Sequence, residues 1–212
     1  MIDRWALALL RPGLEAGAQR LVRAGVGADA VTWVGFALGL AAAVGIAQQA
    51  FMAGLVLLLI SRLLDGLDGA VARQTQPTDR GAFLDITLDF LFYASIPLAF
   101  AWADPARNAL AAATLLAAFV GTGSTFLAFA VLAERRGLSS PAYPSKGLYY
   151  LGGLTEATET LCAFAAMCWW PQAFALIAWV FSALCAVTVL TRLWAGWAAL
   201  SSREPPTLRN RR

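Results

Sequence analysis

Hydrophobic and polar positions follow one another along this chain on the scale of a lipid bilayer. Long apolar runs rich in Ala and Leu are separated by short polar segments, and about 20 apolar residues suffice for a helix that crosses the hydrocarbon core. The runs are too long for strands, so the pattern predicts an all-α integral membrane protein. Six transmembrane helices are predicted, over residues 31–50, 51–72, 81–102, 107–133, 147–169 and 172–200.

The N-terminal segment has a different pattern. Apolar residues such as Trp5 and Leu9 are interleaved with Arg and Glu, which is typical of an amphipathic helix that lies in the membrane interface. Pro12 and Gly13 predict a break within it. The chain is thus interpreted as one membrane domain, residues 1–212, made of a juxtamembrane segment (1–28), a six-helix bundle (31–200) and a basic tail (201–212).

Composition and charge support this interpretation and add an orientation. The chain is 59% hydrophobic with a mean hydropathy of +0.65 over 212 residues, well above an ordinary soluble domain. Basic residues gather in the N-terminal segment, in the connections between the second and third and between the fourth and fifth predicted helices, and in the tail. The loops on the other side contain a single basic residue, Arg107. By the positive-inside rule, both termini are expected in the cytoplasm.

Two pairs of aspartates lie in the predicted second and third helices. Asp65 and Asp68 are three residues apart, and Asp85 and Asp89 are four apart, so each pair lies on one helix face. A carboxylate at the bilayer centre costs about 2.5–3.5 kcal/mol on insertion scales. Four of them indicate neutralisation by one or two divalent cations. Carboxylate ligands in a chain without His favour Mg²⁺ or Mn²⁺ over zinc.

The same segment resembles a known family signature. The chain reads D-x-x-D-G-x-x-A-R, then a spacer of seven residues, then G-x-x-x-D-x-x-x-D. This pattern is similar to that of the CDP-alcohol phosphotransferases, which are also called CDP-alcohol phosphatidyltransferases. The residues that carry the resemblance are Asp65, Gly66, Asp68, Gly69, Ala72, Arg73, Gly81, Asp85 and Asp89.

The resemblance implies a metal-dependent transferase of phospholipid biosynthesis that releases CMP. All four aspartates would bind metal, with a two-metal site expected, and Asp89 would also be the general base. The residues expected near the nucleotide are Gly66, Gly69, Ala72, Arg73, Gly81 and Thr32, the last in a segment that resembles the family's P-N-x-x-T opening. The resemblance also implies a homodimer, and the active site is expected to face the cytoplasm.

A second polar cluster occupies the predicted fifth helix. Glu156 at membrane depth is a candidate functional residue, and its segment loosely resembles the Gly-Pro-x-Glu-Gly region of choline/ethanolamine phosphotransferases. Together with Lys146 and Arg192 it is predicted to contact the acceptor alcohol or its phosphate. A structural role in helix pairing is the alternative.

Two arrangements of the reaction stay open. Phosphatidyl transfer from CDP-diacylglycerol to a polar alcohol is preferred, and transfer of a CDP-linked choline or ethanolamine head group to a lipid alcohol is the alternative. An intramembrane ion or metal transporter is a distant alternative, because intramembrane carboxylates also mark ion pathways. An inactive membrane scaffold of the same fold is another. The expected partners are a CDP-linked donor, an alcohol, membrane lipid and a second copy of the chain, with no nucleic acid.

Overall fold

The structure is a computed structural model that describes residues 3–136 and 153–201, with residues 3–9 as backbone only. These residues form helices and short connections, with no strand among them, which confirms the all-α prediction. The helices are α1 (Asp3–Arg23), α2 (Ala28–Ala47), α3 (Phe51–Gln74), α4 (Asp79–Ala103), α5 (Pro105–Arg135), α6 (Ala157–Trp169) and α7 (Phe174–Ser201), with a 3₁₀ turn at Pro171–Ala173 before α7.

Four segments are long and apolar enough to cross a membrane. They are Ala28–Ala47, Asp79–Ala103, Pro105–Arg135 and Pro171–Ser201. Helix α3 is also long, with 24 residues, but its charged side chains keep it outside this group. Helix α6 has 13 residues, about 20 Å at 1.5 Å per residue, which is shorter than the hydrocarbon core. The coarser prediction of several membrane spans is therefore confirmed.

The predicted fifth span differs most from the structure. Residues 153–156 are not helical and α6 begins only at Ala157, so the prediction of a helix over this stretch is wrong. The reason is local: the side chain of Glu156 accepts from the backbone of Glu159, and the Glu159 side chain accepts from Glu156 N. This capping box fixes the start of the helix. Residues 147–152 of that prediction lie outside the described residues.

Helix α1 runs without interruption through Pro12, so the predicted break there is wrong. One proline removes a single helical hydrogen bond and can be tolerated with a bend. Leu14 and Ala18 of α1 pack against Ala70 and Val71 of α3. The first helix thus covers the segment of α3 that carries the first aspartate pair.

The main core lies among α2 to α7 and is rich in aromatic residues. Phe92 and Ile96 of α4 are fully buried, and Phe164 of α6 lies in the same cluster. The rings of Phe100 and Phe174 stack with centroids 4.4 Å apart. This packing joins α4 to α6 and α7 and buries the part of α4 that follows the second aspartate pair.

Small residues let α2 approach α3 and α4 closely beside the aspartates. A Cβ atom at Gly35 would lie 3.2 Å from Leu64 Cβ, so the two helices touch there almost backbone to backbone. The buried hydroxyl of Ser61 donates to the carbonyl oxygen of Gly35 at 2.7 Å. These contacts fix α2 against the face of α3 from which the aspartates project.

Candidate active site between α3 and α4

Three of the four predicted aspartates converge. Carboxylate oxygens of Asp65 and Asp68 on α3 and of Asp85 on α4 all lie within 4.8 Å of one another. Asp68 is 5% exposed, and its Oδ2 atom is buried with no hydrogen-bond partner among the described residues. A buried carboxylate oxygen without a partner is costly, whereas a bound cation would satisfy it. The oxygen-only donor set fits Mg²⁺ or Mn²⁺.

The fourth aspartate has a different partner. Asp89 Oδ1 lies 2.5 Å from Nη1 of Arg62 on α3, and the same nitrogen lies 3.4 Å from Asp65 Oδ1. Asp89, Asp65 and Asp85 nonetheless line one small cavity, together with Thr32, Gly35, Phe36, Arg62 and Leu88. The four carboxylates therefore form one site with two unequal parts, a cluster of three and an ion pair.

Arg62 is the residue that sequence reasoning missed. Its side chain is 11% exposed, and its guanidinium carbon lies 3.8 Å from the centroid of the Phe92 ring. The signal was present, because an arginine inside an apolar run is as unusual as an aspartate and Arg62 stands three residues before Asp65. The sequence alone does not reveal that Asp89 is the partner of Arg62, since this contact depends on how α3 and α4 pack.

The residues expected near a nucleotide occupy different surroundings. Thr32 lines the aspartate cavity, while Ala72 is half-buried and Arg73 is exposed at the end of α3. A Cβ atom at Gly69 would lie 3.3 Å from the Arg73 side chain. At Gly66 the space for a Cβ is taken by Leu14 of α1, 3.2 Å away. Gly66 thus lies where α1 packs on α3.

The start of α4 is tied to the start of α2. Thr78 caps α4 by accepting a hydrogen bond from Gly81 N at 3.0 Å. Arg80 donates to Asp29 Oδ2 at 2.5 Å, and a Cβ atom at Gly81 would lie 3.3 Å from Asp29 Oδ1. Asp29 therefore pairs across helices, and the N-cap of α2 is Gly27.

The second polar cluster gathers around the segment before α6. Gly153 N donates to Glu156 Oε1 at 3.2 Å, and a Cβ at Gly153 would lie 3.2 Å from Nη2 of Arg192. Arg192 is buried in α7 and donates to the carbonyl oxygen of Thr122 on α5 at 3.1 Å. Glu156 and Arg192 thus meet at one segment, while Lys146 lies outside the described residues.

The family model for CDP-alcohol phosphatidyltransferase matches residues 26–194, which include every helix except α1 and the end of α7. The chain belongs to this family. It is accordingly a multi-pass membrane enzyme, a transferase of phospholipid biosynthesis, and the resemblance found in the aspartate signature is confirmed.

Two relatives show how the chain compares within the CDP-alcohol phosphatidyltransferase family. It is 50% identical to the inner membrane protein YnjF of Escherichia coli over 204 residues. This match covers 96% of this chain and 99% of that protein. It is also 48% identical to the archaetidylinositol phosphate synthase of Methanothermobacter thermautotrophicus over 65 residues. This match covers 30% of this chain and 33% of the relative.

Solved structures of the phosphatidylinositol phosphate synthase PgsA1 of Mycobacterium tuberculosis share the fold. The complex with CDP-DAG has a TM-score of 0.65 and 25% identity, covering 87% of this chain and 93% of that one. The complex with manganese and citrate has a TM-score of 0.67 and 24% identity, covering 87% and 88%.

Proposed function

We propose that this protein transfers a phosphatidyl group from CDP-diacylglycerol to an alcohol and releases CMP in a metal-dependent reaction. The observation that carries the proposal is the convergence of Asp65, Asp68 and Asp85 around a buried carboxylate oxygen that has no partner among the described residues, in a member of the CDP-alcohol phosphatidyltransferase family. The choice of CDP-diacylglycerol over a CDP-linked head group is supported by PgsA1, a similar protein whose structure holds CDP-DAG.

In the proposed site, the three clustered aspartates would hold Mg²⁺ or Mn²⁺. Bound there, the ion would supply positive charge to the diphosphate of the donor and to the leaving CMP. Thr32 at the cavity, the small residues Gly69, Ala72 and Gly81, and Arg73 at the end of α3 would receive the nucleotide. We assign Gly66 a smaller part in nucleotide contact, since Leu14 fills the space beside it.

Asp89 is the proposed general base. It lines the cavity, and its hydrogen bond to Arg62 uses Oδ1, so Oδ2 is available to a hydroxyl group. The acceptor hydroxyl would pass its proton to Asp89 while its oxygen attacks the phosphorus that carries diacylglycerol. A new phosphorus–oxygen bond forms, the bond from that phosphorus to the CMP oxygen breaks, and CMP leaves with the bonding electron pair.

The acceptor is proposed to be a phosphorylated polyol, with a phosphorylated inositol as the first to test. Two similar proteins are named for inositol phosphate products, and Arg192 together with Glu156 and Lys146 would contact such an acceptor. Arginine suits this task because its planar guanidinium can hold a phosphate by two hydrogen bonds.

We also propose that α3 crosses the membrane with the four apolar segments, and that α6 completes a sixth span together with the non-helical residues 153–156 before it. Six spans would place both termini and the aspartate site on the cytoplasmic side, in line with the distribution of basic residues. Helix α1 would lie at the membrane interface, and the chain would work as a homodimer. Reporter fusions at each terminus and crosslinking of the purified protein test these points.

The decisive experiment measures CMP release by the purified protein in lipid with Mg²⁺ or Mn²⁺. One arm offers CDP-diacylglycerol with inositol phosphate, glycerol 3-phosphate or serine, and the other offers CDP-choline with diacylglycerol. We expect acceptor-dependent CMP only in the first arm, and its loss on chelation. CMP in the second arm alone would establish the head-group reaction instead, and silence in both without nucleotide binding would leave a scaffold or a transporter.

A further inference from the structure

Arg62 stands between the two parts of the aspartate site. Its Nη1 atom lies 2.5 Å from Asp89 Oδ1 and 3.4 Å from Asp65 Oδ1, so one guanidinium faces a carboxylate from each of two helices. A second divalent ion held by Asp65 and Asp89 would compete with this guanidinium for the same carboxylate oxygens. A guanidinium is positively charged at every accessible pH, and its charge there is permanent.

The surroundings of Arg62 hold it in this position. Its guanidinium lies over the Phe92 ring, a favourable cation–π contact, and its Nη2 donates to Ser61 Oγ at 3.3 Å. Phe92 and Ser61 are both fully buried. Moving Arg62 away would leave Asp89 without its ion-pair partner.

The remaining carboxylates form a cluster without Asp89. The oxygens of Asp65, Asp68 and Asp85 lie within 4.8 Å of one another, and the buried Oδ2 of Asp68 has no partner among the described residues. The site is thus asymmetric, because three carboxylates can share one ion while the fourth is already neutralised by a side chain.

We infer that Arg62 is a built-in cation that holds Asp89 and replaces the second divalent ion, so that each chain binds one metal ion, on Asp65, Asp68 and Asp85. This inference rests on the proposed metal-dependent function. Arg62 is a positioning residue in this scheme: it fixes Asp89 through Oδ1 and leaves Oδ2 directed to the acceptor. It also departs from the two-metal site that the aspartate signature alone predicts.

The number of bound Mn²⁺ ions tests the inference without any substrate. Equilibrium dialysis of the purified protein, with free Mn²⁺ followed by electron paramagnetic resonance, is expected to give one ion per chain. Arg62→Met, which has a similar stem but no charge, is expected to bind a second ion because Asp89 becomes a free ligand. The double variant Arg62→Met with Asp89→Asn is expected to return to one.

Activity separates a positioning role from a merely structural one. Arg62→Lys keeps the charge but loses the planar fork, so we expect one bound ion and a kcat lowered about 10–100-fold, with the KM for CDP-diacylglycerol little changed. If the KM for CDP-diacylglycerol rose about 10–100-fold while kcat stayed unchanged, the proposal that Arg62 positions Asp89 would be contradicted.

The outcomes distinguish this inference from the proposed function. Two Mn²⁺ ions in the unmodified protein, or one in Arg62→Met that folds normally, would overturn the role of Arg62 even if CMP release were found. If Arg62→Met does not fold, the count in the unmodified protein and in Arg62→Lys decides, and two ions in either contradicts the inference. One ion in both, with no CMP release, would support Arg62 as the built-in cation while refuting the transferase proposal.

Discussion

The hydroxyl of Ser61 on α3 donates to the backbone carbonyl oxygen of Gly35 on α2, with the two oxygens 2.7 Å apart. Ser61 is fully buried and stands one residue before Arg62, so this bond joins α2 to the base of the aspartate site. Interhelical hydrogen bonds in membrane proteins contribute about 0.6 kcal/mol on average, with values up to about 1.7.

Ser61→Ala is therefore expected to lower the free energy of unfolding by about 1 kcal/mol. Thermal unfolding in detergent measures this effect. Ser95→Ala is the control, because the Ser95 hydroxyl donates at 2.7 Å to Phe92 O within its own helix and joins no helices. Equal destabilisation by the two substitutions would refute an interhelical role for Ser61.

Gly39 provides a test of the close approach between α2 and α4. A Cβ atom there would lie 2.6 Å from Phe92 Cδ2 and 3.0 Å from Ser61 Oγ, and both residues are fully buried. Gly39→Ala should destabilise the protein by about 1–3 kcal/mol through overpacking, partly offset by the better helix propensity of alanine.

The same substitution at Gly45 of α2 is the matched control. A Cβ there would lie at least 3.5 Å from its neighbours, an ordinary contact, so Gly45→Ala should be neutral or stabilising by up to about 1 kcal/mol. Melting temperatures of both variants in one detergent check the prediction. A Gly39→Ala protein as stable as Gly45→Ala would show that Phe92 can move.

The aspartate cluster predicts a strong loss of metal binding on removal of one charge. Asp85→Asn is expected to weaken Mn²⁺ binding at least about tenfold and to reduce CMP release at least about 100-fold, since a ligand of the ion is lost. Asp79→Asn is the control: Asp79 is exposed in the first turn of the same helix and lies outside the cluster. Similar losses in the two variants would mean that overall charge, and not the cluster, attracts the ion.

Sequence spacing predicts part of the aspartate site. Spacings of three and four were enough to place Asp65 with Asp68, and Asp85 with Asp89, on single helix faces. Convergence of the two helices was expected from the cost of intramembrane charge. The split into a cluster and an ion pair was not predictable, because Arg62 reaches Asp89 across 27 positions of sequence and the contact depends on the packing of α3 against α4.

Hydropathy misses the start of α6 because hydrogen bonds, and not apolar length, decide where this helix begins. Hydropathy predicts a helix wherever an apolar stretch is long enough, but the chain leaves the helix where side chains offer the backbone other hydrogen bonds. Thr188 Oγ1 accepts from Leu154 N and Thr155 N at 3.2 and 3.1 Å, which no local pattern reveals. The capping box at Glu156 and this residue on α7 therefore set the helix boundary together.

The ion pair between Arg80 and Asp29 is expected to contribute little to stability. Its arginine side chain is 84% exposed, and exposed pairs are typically worth about 0.2–1 kcal/mol. A double-mutant cycle with Arg80→Ala and Asp29→Ala, measured by unfolding at low and high salt, checks this expectation. A coupling energy above about 2 kcal/mol that does not change with salt would contradict it.

Glu156 has two proposed tasks that substitutions can separate. It caps α6, with its side chain accepting from the backbone of Glu159, and it is proposed to contact the acceptor. Glu156→Ala should lose the cap and about 1 kcal/mol of stability. Glu156→Gln keeps an accepting oxygen but not the charge, so we expect normal stability.

The acceptor distinguishes the two tasks. If the charge of Glu156 binds an acceptor hydroxyl, Glu156→Gln should raise the KM for that acceptor about tenfold and leave the KM for CDP-diacylglycerol unchanged, because a hydrogen bond to a charged group contributes about 1.5–3 kcal/mol. Glu134→Gln, at an exposed position near the end of α5, is the control for charge removal. Unchanged acceptor kinetics in Glu156→Gln, with instability in Glu156→Ala, would leave Glu156 as a helix cap alone and transfer acceptor recognition to Arg192.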